Sequence, residues 1–363
     1  MKAPKAPWKR PFIALFPLLM VLAGGCDLSS VRDFIEERVN WFNRELAIYI
    51  TSTYTGRVYR YDIGLRTAEV WFSTEENGTG AIYFHNDVGY VAVGATSSNP
   101  GLYRFDPRLA TPVLSRIGMP ISAQYAAFYG NTKAYVTDYA LGSSTGVYTF
   151  DPSNPAAGLG GPIPGTDNLS QVQQHVIVGV DNRIYVSSYG ANQVLQINPA
   201  TDTVVGTWTP SVSYPQALYS EFSMLTSYVY VLCNPWTAGQ GAVDRFQPGG
   251  SGIPVTVASG IDANKMVHHE ETNKYYAVGY ANTYVLTPAT PTWTSSEIKD
   301  EGVSFGGSDI LIHDDLVFVA GHDVGTKVSR LYVVDATTGE LTAYSPVTIM
   351  EDGVDGASNL ALY

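Results

Sequence analysis

A unit of 41 to 50 residues repeats seven times after Glu45, and this repeat limits the possible folds more than any other feature of the chain. Each unit contains an aromatic anchor followed by alternating apolar positions, which is typical of a buried β-strand. The seven anchors are Tyr49, Tyr90, Tyr135, Tyr185, Tyr230, Tyr276 and Phe318. The regular spacing predicts seven copies of one small all-β unit.

Each anchor strand has three companions. A second strand ends in a turn-forming residue, as at Asp106 before Pro107 and at Asn198 before Pro199. A third strand follows that turn, and a fourth precedes the anchor, as at residues 174–178 before Tyr185. Four short strands per repeat form one blade, so the sequence predicts an all-β, seven-bladed β-propeller.

The two ends of the repeat region complement each other. The first anchor, Tyr49, has no innermost strand before it, whereas residues 357–363 resemble an innermost strand with no blade after it. We therefore predict that the C-terminal strand completes the first blade and leaves no long sheet edge open. The propeller then spans residues 44–363.

The first 25 residues have the pattern of a signal peptide. Four basic residues precede an apolar run at 12–23, which is too short to span a bilayer comfortably. Residues 22–26, Leu-Ala-Gly-Gly-Cys, resemble the lipobox of bacterial lipoproteins. The resemblance implies that Cys26 is lipidated and attaches the protein to a membrane. The alternative is an ordinary cleaved signal peptide in which Cys26 is incidental.

Residues 26–43 form the predicted linker between the lipid and the propeller. Val31, Phe34, Ile35 and Val39 recur at helical spacing and predict a short amphipathic helix, which packs on the propeller or lies on the membrane. Asp27 directly after the cysteine resembles the inner-membrane retention signal of enteric lipoproteins, a rule that varies between lineages. We expect a lipid anchor in the cell envelope, facing the periplasm or the cell surface, in the outer rather than the inner membrane.

Charge and cysteine content exclude some functions. The net charge of the full chain is −12, and removal of the leader leaves 17 Lys and Arg against 33 Asp and Glu, a net charge of −16. Nucleic-acid binding is therefore disfavoured, whereas cationic ligands, metals and basic partners are favoured. With Cys26 lipidated, Cys233 is the one remaining cysteine, so no intramolecular disulfide is available.

Two segments of the repeats resemble the YVTN-repeat family of seven-bladed propellers. The similarity is highest at residues 135–138, Tyr-Val-Thr-Asp, and at residues 184–205. It extends in degenerate form over about 320 residues. The resemblance implies the propeller architecture. It also implies membership of a group that includes surface-layer proteins, ligand-capture lipoproteins beside outer-membrane transporters, and some metal-dependent lactonases or lyases.

The loops that lead into the innermost strands carry many carboxylates. In a propeller these loops share one face around the channel, where ligands usually sit. The candidate residues are Glu75, Glu76, Asp167, Asp262, Asp300, Glu301, Asp352 and Asp355. Such a ring would suit Ca²⁺, another divalent metal or a cationic group. The alternative is that these side chains stabilise solvated turns.

Aromatic residues occupy the loops that directly follow the anchor strands, which are the second strands when counted outwards from the channel, and these loops reach the same face. Tyr139, Tyr189, Tyr280 and His322 each lie four residues past their anchor, and Trp236 is nearby in the fifth repeat. Arranged this way they would stack a flat ligand such as a tetrapyrrole, a corrinoid or a sugar. The alternative is that each ring packs against the neighbouring blade.

The histidines do not form a recognisable metal-binding pattern. His175 and His268 lie on innermost strands and are expected to face the channel, while the adjacent His269 should point to the opposite side of its strand. No covalent haem-attachment or nucleotide-binding motif occurs in the sequence.

The sequence thus favours a non-catalytic binding or scaffold lipoprotein that holds a small ligand, a metal ion or a partner such as an envelope protein or transporter. Two alternatives are a metal-dependent lactonase or lyase that uses the acidic face, and a surface structural or assembly protein.

Overall fold

The computed structural model describes residues 46–94, 96–118, 120–139, 146–167, 173–223, 226–250, 252–322, 328–350 and 356–363. The predicted signal peptide (1–25), Cys26 and the linker helix lie outside these ranges. Within the described residues there are seven antiparallel sheets, and the single helix is a 3₁₀ turn at Pro155–Ala157. None of the described helices is long and apolar enough to cross a bilayer.

The first four blades each contain four strands. Blade one consists of β1 (Ala47–Ser52), β2 (Arg57–Asp62) and β3 (Thr67–Ser73) together with β30 (Ala357–Leu362). Blade two consists of β4 (Thr79–His85), β5 (Val88–Val93), β6 (Gly101–Phe105) and β7 (Ser115–Arg116). Blade three consists of β8 (Ala123–Tyr129), β9 (Lys133–Asp138), β10 (Gly146–Phe150) and β11 (Leu159–Pro162). Blade four consists of β12 (Gln173–Val178), β13 (Ile184–Ser188), β14 (Gln193–Asn198) and β15 (Thr203–Trp208).

Blade five also has four strands, whereas blades six and seven each have five. Blade five consists of β16 (Pro215–Ser223), β17 (Thr226–Cys233), β18 (Ala242–Phe246) and β19 (Val255–Ser259). Blade six consists of β20 (Lys265–His269), β21 (Lys274–Val278), β22 (Thr283–Thr287), β23 (Thr294–Asp300) and β24 (Val303–Ser304). Blade seven consists of β25 (Gly307–His313), β26 (Leu316–His322), β27 (Ser329–Asp335), β28 (Glu340–Leu341) and β29 (Val347–Met350).

The C-terminal strand closes the ring, as predicted. β30 pairs antiparallel with β1, with Ile48 opposite Leu362 and Ser52 opposite Ala357. It is the innermost strand of blade one, between the innermost strands of blades seven and two, which it contacts on either side. The seven-bladed, all-β architecture predicted from the repeat is therefore confirmed.

The hydrophobic core lies between blades rather than inside any one of them. Each cluster of buried apolar side chains combines residues of two neighbouring sheets, because each sheet is covered on both faces. Trp208 shows the arrangement: it stacks on Tyr185 of its own blade at 5.1 Å and on Phe246 of the next blade at 4.7 Å. The anchors are buried throughout, which explains why the repeat retains an aromatic ring there.

The predicted turn residues close their turns with side-chain hydrogen bonds. The carboxylate of Asp62 accepts a bond from the Leu65 backbone N–H at 2.8 Å, and Asp335 accepts one from Thr337 at the same distance. Asn198 bonds the Ala200 N–H at 3.0 Å. These local bonds close the turn between the third and fourth strands, counted outwards from the channel, in blades one, four and seven.

Candidate functional site

The antiparallel blades place their loops on two faces. The loops that lead into innermost strands and those that join second to third strands lie on one face, here named the upper face. The hairpins that join innermost to second strands, and third to fourth strands, lie on the opposite or lower face. The predicted acidic and aromatic ligand contacts belong to loops of the upper face.

Aromatic side chains of blades four, five and six form one group on the upper face. The Trp236 indole N–H donates a hydrogen bond to the Tyr189 hydroxyl at 2.6 Å, and the Trp236 ring lies 5.1 Å from the Tyr280 ring. Tyr214 extends the group, with its ring 4.8 Å from that of Tyr189. We name these four residues the upper-face aromatic cluster. Trp236 is 52% exposed and Tyr280 is 61% exposed, so broad ring surfaces face solvent.

Tyr139 and His322, the other two residues predicted for this surface, are not part of the cluster as defined. Tyr139 in blade three is half-buried beside it: burial raises the pKa of its hydroxyl, and the nearby Tyr189 raises that pKa further. His322 ends β26, where its backbone pairs with Ser329, and its side chain lies outside the described residues. Tyr139, Tyr189, Trp236 and Tyr280 therefore lie near one another, while their role as ligand contacts stays a prediction.

Two of the predicted acidic residues, Glu76 and Asp262, are bound to groups of a neighbouring loop. Glu76 accepts hydrogen bonds from Ser97, from Asn99 at 2.9 Å and from Ser98 at 3.1 Å, and these bonds lower its pKa to about 2. Asp262 accepts bonds from the backbone N–H groups of Gly239 and, at 2.8 Å, Gly241. These two carboxylates therefore join neighbouring loops of the upper face, while a role in ligand binding stays a prediction.

The remaining carboxylates that the structure describes do not gather around a common point. Asp300 forms an ion pair with Arg330 at 3.8 Å, and Asp167 accepts a bond from the Gly165 N–H. Glu75 and Glu301 are exposed on turns with positive φ. Asp352 and Asp355 lie outside the described residues. Across the described ranges, no three His, Cys, Asp or Glu side chains are grouped closely enough to hold a metal ion.

The central channel contains a cavity of about 320 Å³ lined by innermost strands. Lys265 of blade six reaches across to blade three, where its Nζ lies 3.8 Å from the centre of the Tyr125 ring. His175 of blade four packs edge-on against Tyr125 at 4.6 Å, and its Nδ1 accepts a bond from the Leu218 N–H. Asp309 of blade seven accepts a bond from the Leu360 N–H at 2.9 Å. These side chains narrow the channel.

Sequence reasoning identified one of these channel residues and missed the others. His175 faces the channel as expected, but His268 lies near the lower face instead. Lys265 and Asp309 were not predicted. The signal that could have identified them is a charged residue within an innermost strand. Burial lowers the pKa of Lys265 to about 8, an effect that the charge of Asp309 opposes, and burial raises the pKa of Asp309.

The depressed pKa of Lys265 predicts a pH-dependent stability. Between about pH 8 and pH 10.5 the Lys265 amine is protonated in the unfolded chain and largely deprotonated in the folded protein. Lys265 therefore contributes an increase in the free energy of unfolding as pH rises through this window. Lys265→Met should lack this contribution. The difference in free energy of unfolding between the variant and the wild type should therefore change by about 1–2 kcal/mol across the window.

Urea denaturation at about pH 7.5 and about pH 9.5 measures this difference. Lys274→Met is the matched control, because the Lys274 Nζ donates to the Thr337 carbonyl on the exposed surface. A constant difference between wild type and Lys265→Met at both pH values would show that the amine titrates normally.

Comparison with known proteins identifies the fold of this chain but assigns it to no family. No family model matches the chain, and no curated protein matches it. Solved structures that it resembles include a proposed 6-phosphogluconolactonase from Bacteroides fragilis, 14% identical, with a TM-score of 0.61 over 88% of this chain and 98% of that one. A second proposed 6-phosphogluconolactonase, from Bacteroides uniformis, is 13% identical, with a TM-score of 0.59 over 88% of this chain and 100% of the other.

A protein from Lactobacillus plantarum is likewise 14% identical, with a TM-score of 0.61 over 88% of this chain and 99% of its own. Identities this low carry no activity or site residue from one protein to another. The YVTN-repeat resemblance accordingly rests on the sequence motifs alone, and what the structural comparisons establish is that the chain has the β-propeller fold.

Proposed function

We propose that this protein is a non-catalytic binding module that holds a flat, uncharged ligand on its upper-face aromatic cluster. The observation that supports it is the joining of Tyr189, Trp236 and Tyr280, from three different blades, into one exposed aromatic surface. Exposed aromatic groups of this kind are uncommon on surfaces that bind nothing, because their burial is favourable.

The charge of the protein disfavours an anionic ligand at this cluster. The full chain has a net charge of −12, so a ligand with several carboxylates, such as a porphyrin, would be repelled. A sugar ring or a corrinoid stacks on aromatic faces without that penalty. The cavity below, at about 320 Å³, is narrowed by Lys265 and Tyr125, so the ligand would rest at the mouth of the channel.

Export and lipidation belong to the same proposal. The lipobox-like segment ending at Cys26 would hold the propeller at the cell envelope, on the outer rather than the inner membrane. A binding module there would pass its ligand to, or receive it from, a membrane transporter. Mass spectrometry of the mature N-terminus tests the lipid, and membrane fractionation tests the location.

The enzymatic alternative lacks a supporting observation. A metal-dependent lactonase holds its ion with at least three protein ligands, and the described residues offer no such group. The description of two related structures as proposed lactonases concerns those proteins, whose identity to this chain is 14% and 13%.

Titration calorimetry with cyanocobalamin and with maltohexaose tests the binding proposal. We expect one of these probes to bind, and Trp236→Leu to weaken that binding about tenfold through loss of ring stacking. Trp293→Leu, which changes a tryptophan on the lower face, is the matched control and should bind like the wild type. Absence of binding by both probes, or equal binding by Trp236→Leu, would contradict the proposal.

A further inference from the structure

A second pocket, of about 570 Å³, lies on the lower face between blades five and six. Its lining comes from the ends of β16, β18 and β20, the starts of β17 and β21, and the connection that precedes β23. In antiparallel blades all these positions meet at the same edge. We name it the lower-face pocket and define it by Glu221, Tyr230, His268, Tyr275 and Trp293.

A carboxylate without a strong counter-charge lies in this pocket. Glu221 is 11% exposed, and it accepts hydrogen bonds from the Tyr230 hydroxyl at 2.8 Å and from the Tyr275 hydroxyl at 2.6 Å. Among the residues that the structure describes, the one basic side chain within 4.0 Å of this carboxylate is His268, whose Nδ1 lies 3.4 Å away. Removal of a carboxylate from water is unfavourable unless its charge is balanced.

The walls around Glu221 are aromatic. Trp293 stacks on Tyr275 at 4.4 Å, and the ring centres of Trp293 and Tyr230 are 5.4 Å apart. His268 also stacks on Tyr275, at 4.2 Å. One wall already holds a cation, because the guanidinium of Arg245 lies over the Tyr228 ring at 4.4 Å. Electron-rich ring faces beside a carboxylate are the combination that recognises positive charge.

The polar groups next to Glu221 are already hydrogen-bonded. The hydroxyls of Tyr230 and Tyr275 donate to Glu221, and the His268 Nε2 lies 3.1 Å from the Asn273 side-chain oxygen. A ligand rich in hydroxyl groups, such as a sugar, would have to break these bonds. A ligand that carries charge but no hydrogen-bond donors would leave them intact.

We propose that the lower-face pocket binds a small organic cation of the quaternary ammonium class, with Glu221 as its counter-charge and the partly exposed ring of Trp293, backed by the buried Tyr275, as its aromatic wall. The pocket volume exceeds that of a trimethylammonium group, and the negative net charge of the protein attracts such cations. This site is separate from the upper-face cluster and does not depend on the function proposed for it.

Choline and 3,3-dimethyl-1-butanol form the test pair, because they have the same shape and differ in the charged nitrogen. Calorimetry or tryptophan fluorescence on the full chain should show choline binding about tenfold more tightly than the neutral alcohol. Glu221→Gln should weaken choline binding about tenfold and leave the alcohol unaffected, since glutamine keeps an oxygen that accepts the tyrosine bonds. Trp293→Leu should weaken both.

Trp236→Leu on the upper face serves as the control and should bind choline like the wild type. A thermal melt of Glu221→Gln establishes that the variant is folded before its binding is compared. Equal affinity for choline and the neutral alcohol, unchanged choline binding by Glu221→Gln, or no binding at about 10 mM choline would each overturn the proposal.

Discussion

Deletion of residues 357–363 is expected to lower the melting temperature by about 10 °C or more, or to prevent folding. The deletion removes β30, whose backbone pairs with β1 from Ser52 to Ile48. It also removes Ala357 and Leu360 from the core between blades one and seven. The Leu360 N–H, which donates a hydrogen bond to the Asp309 carboxylate, is lost as well. The lost strand hydrogen bonds and apolar burial together amount to about 5 kcal/mol or more.

Two further measurements distinguish loss of the strand from general damage. Leu360→Ala should cost about 2–4 kcal/mol, a smaller effect, because it removes apolar contacts and keeps the backbone pairing. A synthetic peptide of residues 356–363 added to the truncated chain should restore part of the lost stability by pairing with β1. An unchanged melting curve after the deletion would refute closure by this strand.

Gly279→Ala is expected to destabilise the protein by about 3 kcal/mol. A Cβ atom at Gly279 would clash with the backbone carbonyl of Asp262, with the carbonyl carbon only 2.9 Å away. The Gly279 N–H also donates to Asn282, and the Gly279 carbonyl accepts from Gly307 in the next blade, both at 2.9 Å. The backbone cannot move away from the clash without breaking these bonds.

Gly161→Ala is the matched control for this effect. Gly161 lies in the outer strand β11, and an added Cβ there would have open space around it. Chemical denaturation should therefore give nearly the wild-type free energy of unfolding for Gly161→Ala. Equal stability of the two variants would show that the contact between Gly279 and Asp262 is not tight.

The position of Gly279 connects fold stability to the candidate site. Tyr280, the next residue, contributes its ring to the upper-face aromatic cluster. The close approach of the two loops at Gly279 and Asp262 therefore helps to set where that ring lies. Asp262 is thus held on two sides, by the close backbone contact with Gly279 and by the hydrogen bonds that its carboxylate accepts from Gly239 and Gly241.

The repeat made some site features predictable. Tyr139, Tyr189 and Tyr280 occur at one offset from their anchors, so equivalent positions in successive blades had to reach the same face. The structure brings Tyr189, Trp236 and Tyr280 into one group. The same reasoning did not reveal that Glu76 and Asp262 are bound to neighbouring loops, because hydrogen-bond partners depend on loop conformation.

The lower-face pocket illustrates what periodicity cannot predict. Glu221 and Tyr275 are 54 residues apart and meet because blade five packs on blade six. His268 was expected in the channel, since it lies on an innermost strand, yet it stacks on Tyr275 beside the lower face. His268 lies near the end of β20 and therefore close to the lower face. Its position along the strand, as well as the side of the strand that it occupies, determines its neighbours.

The sequence by itself determined the fold class, the number of blades and the closing strand, because these follow from the period of the repeat and from the complementary ends of the chain. Only the tertiary structure decided which side chains meet between blades, as where Lys265 reaches across the channel to Tyr125 and where Glu221 meets His268. The physical reason is that strand order is encoded locally, whereas contacts between blades depend on how twisted sheets pack and on which rotamers fill the space between them.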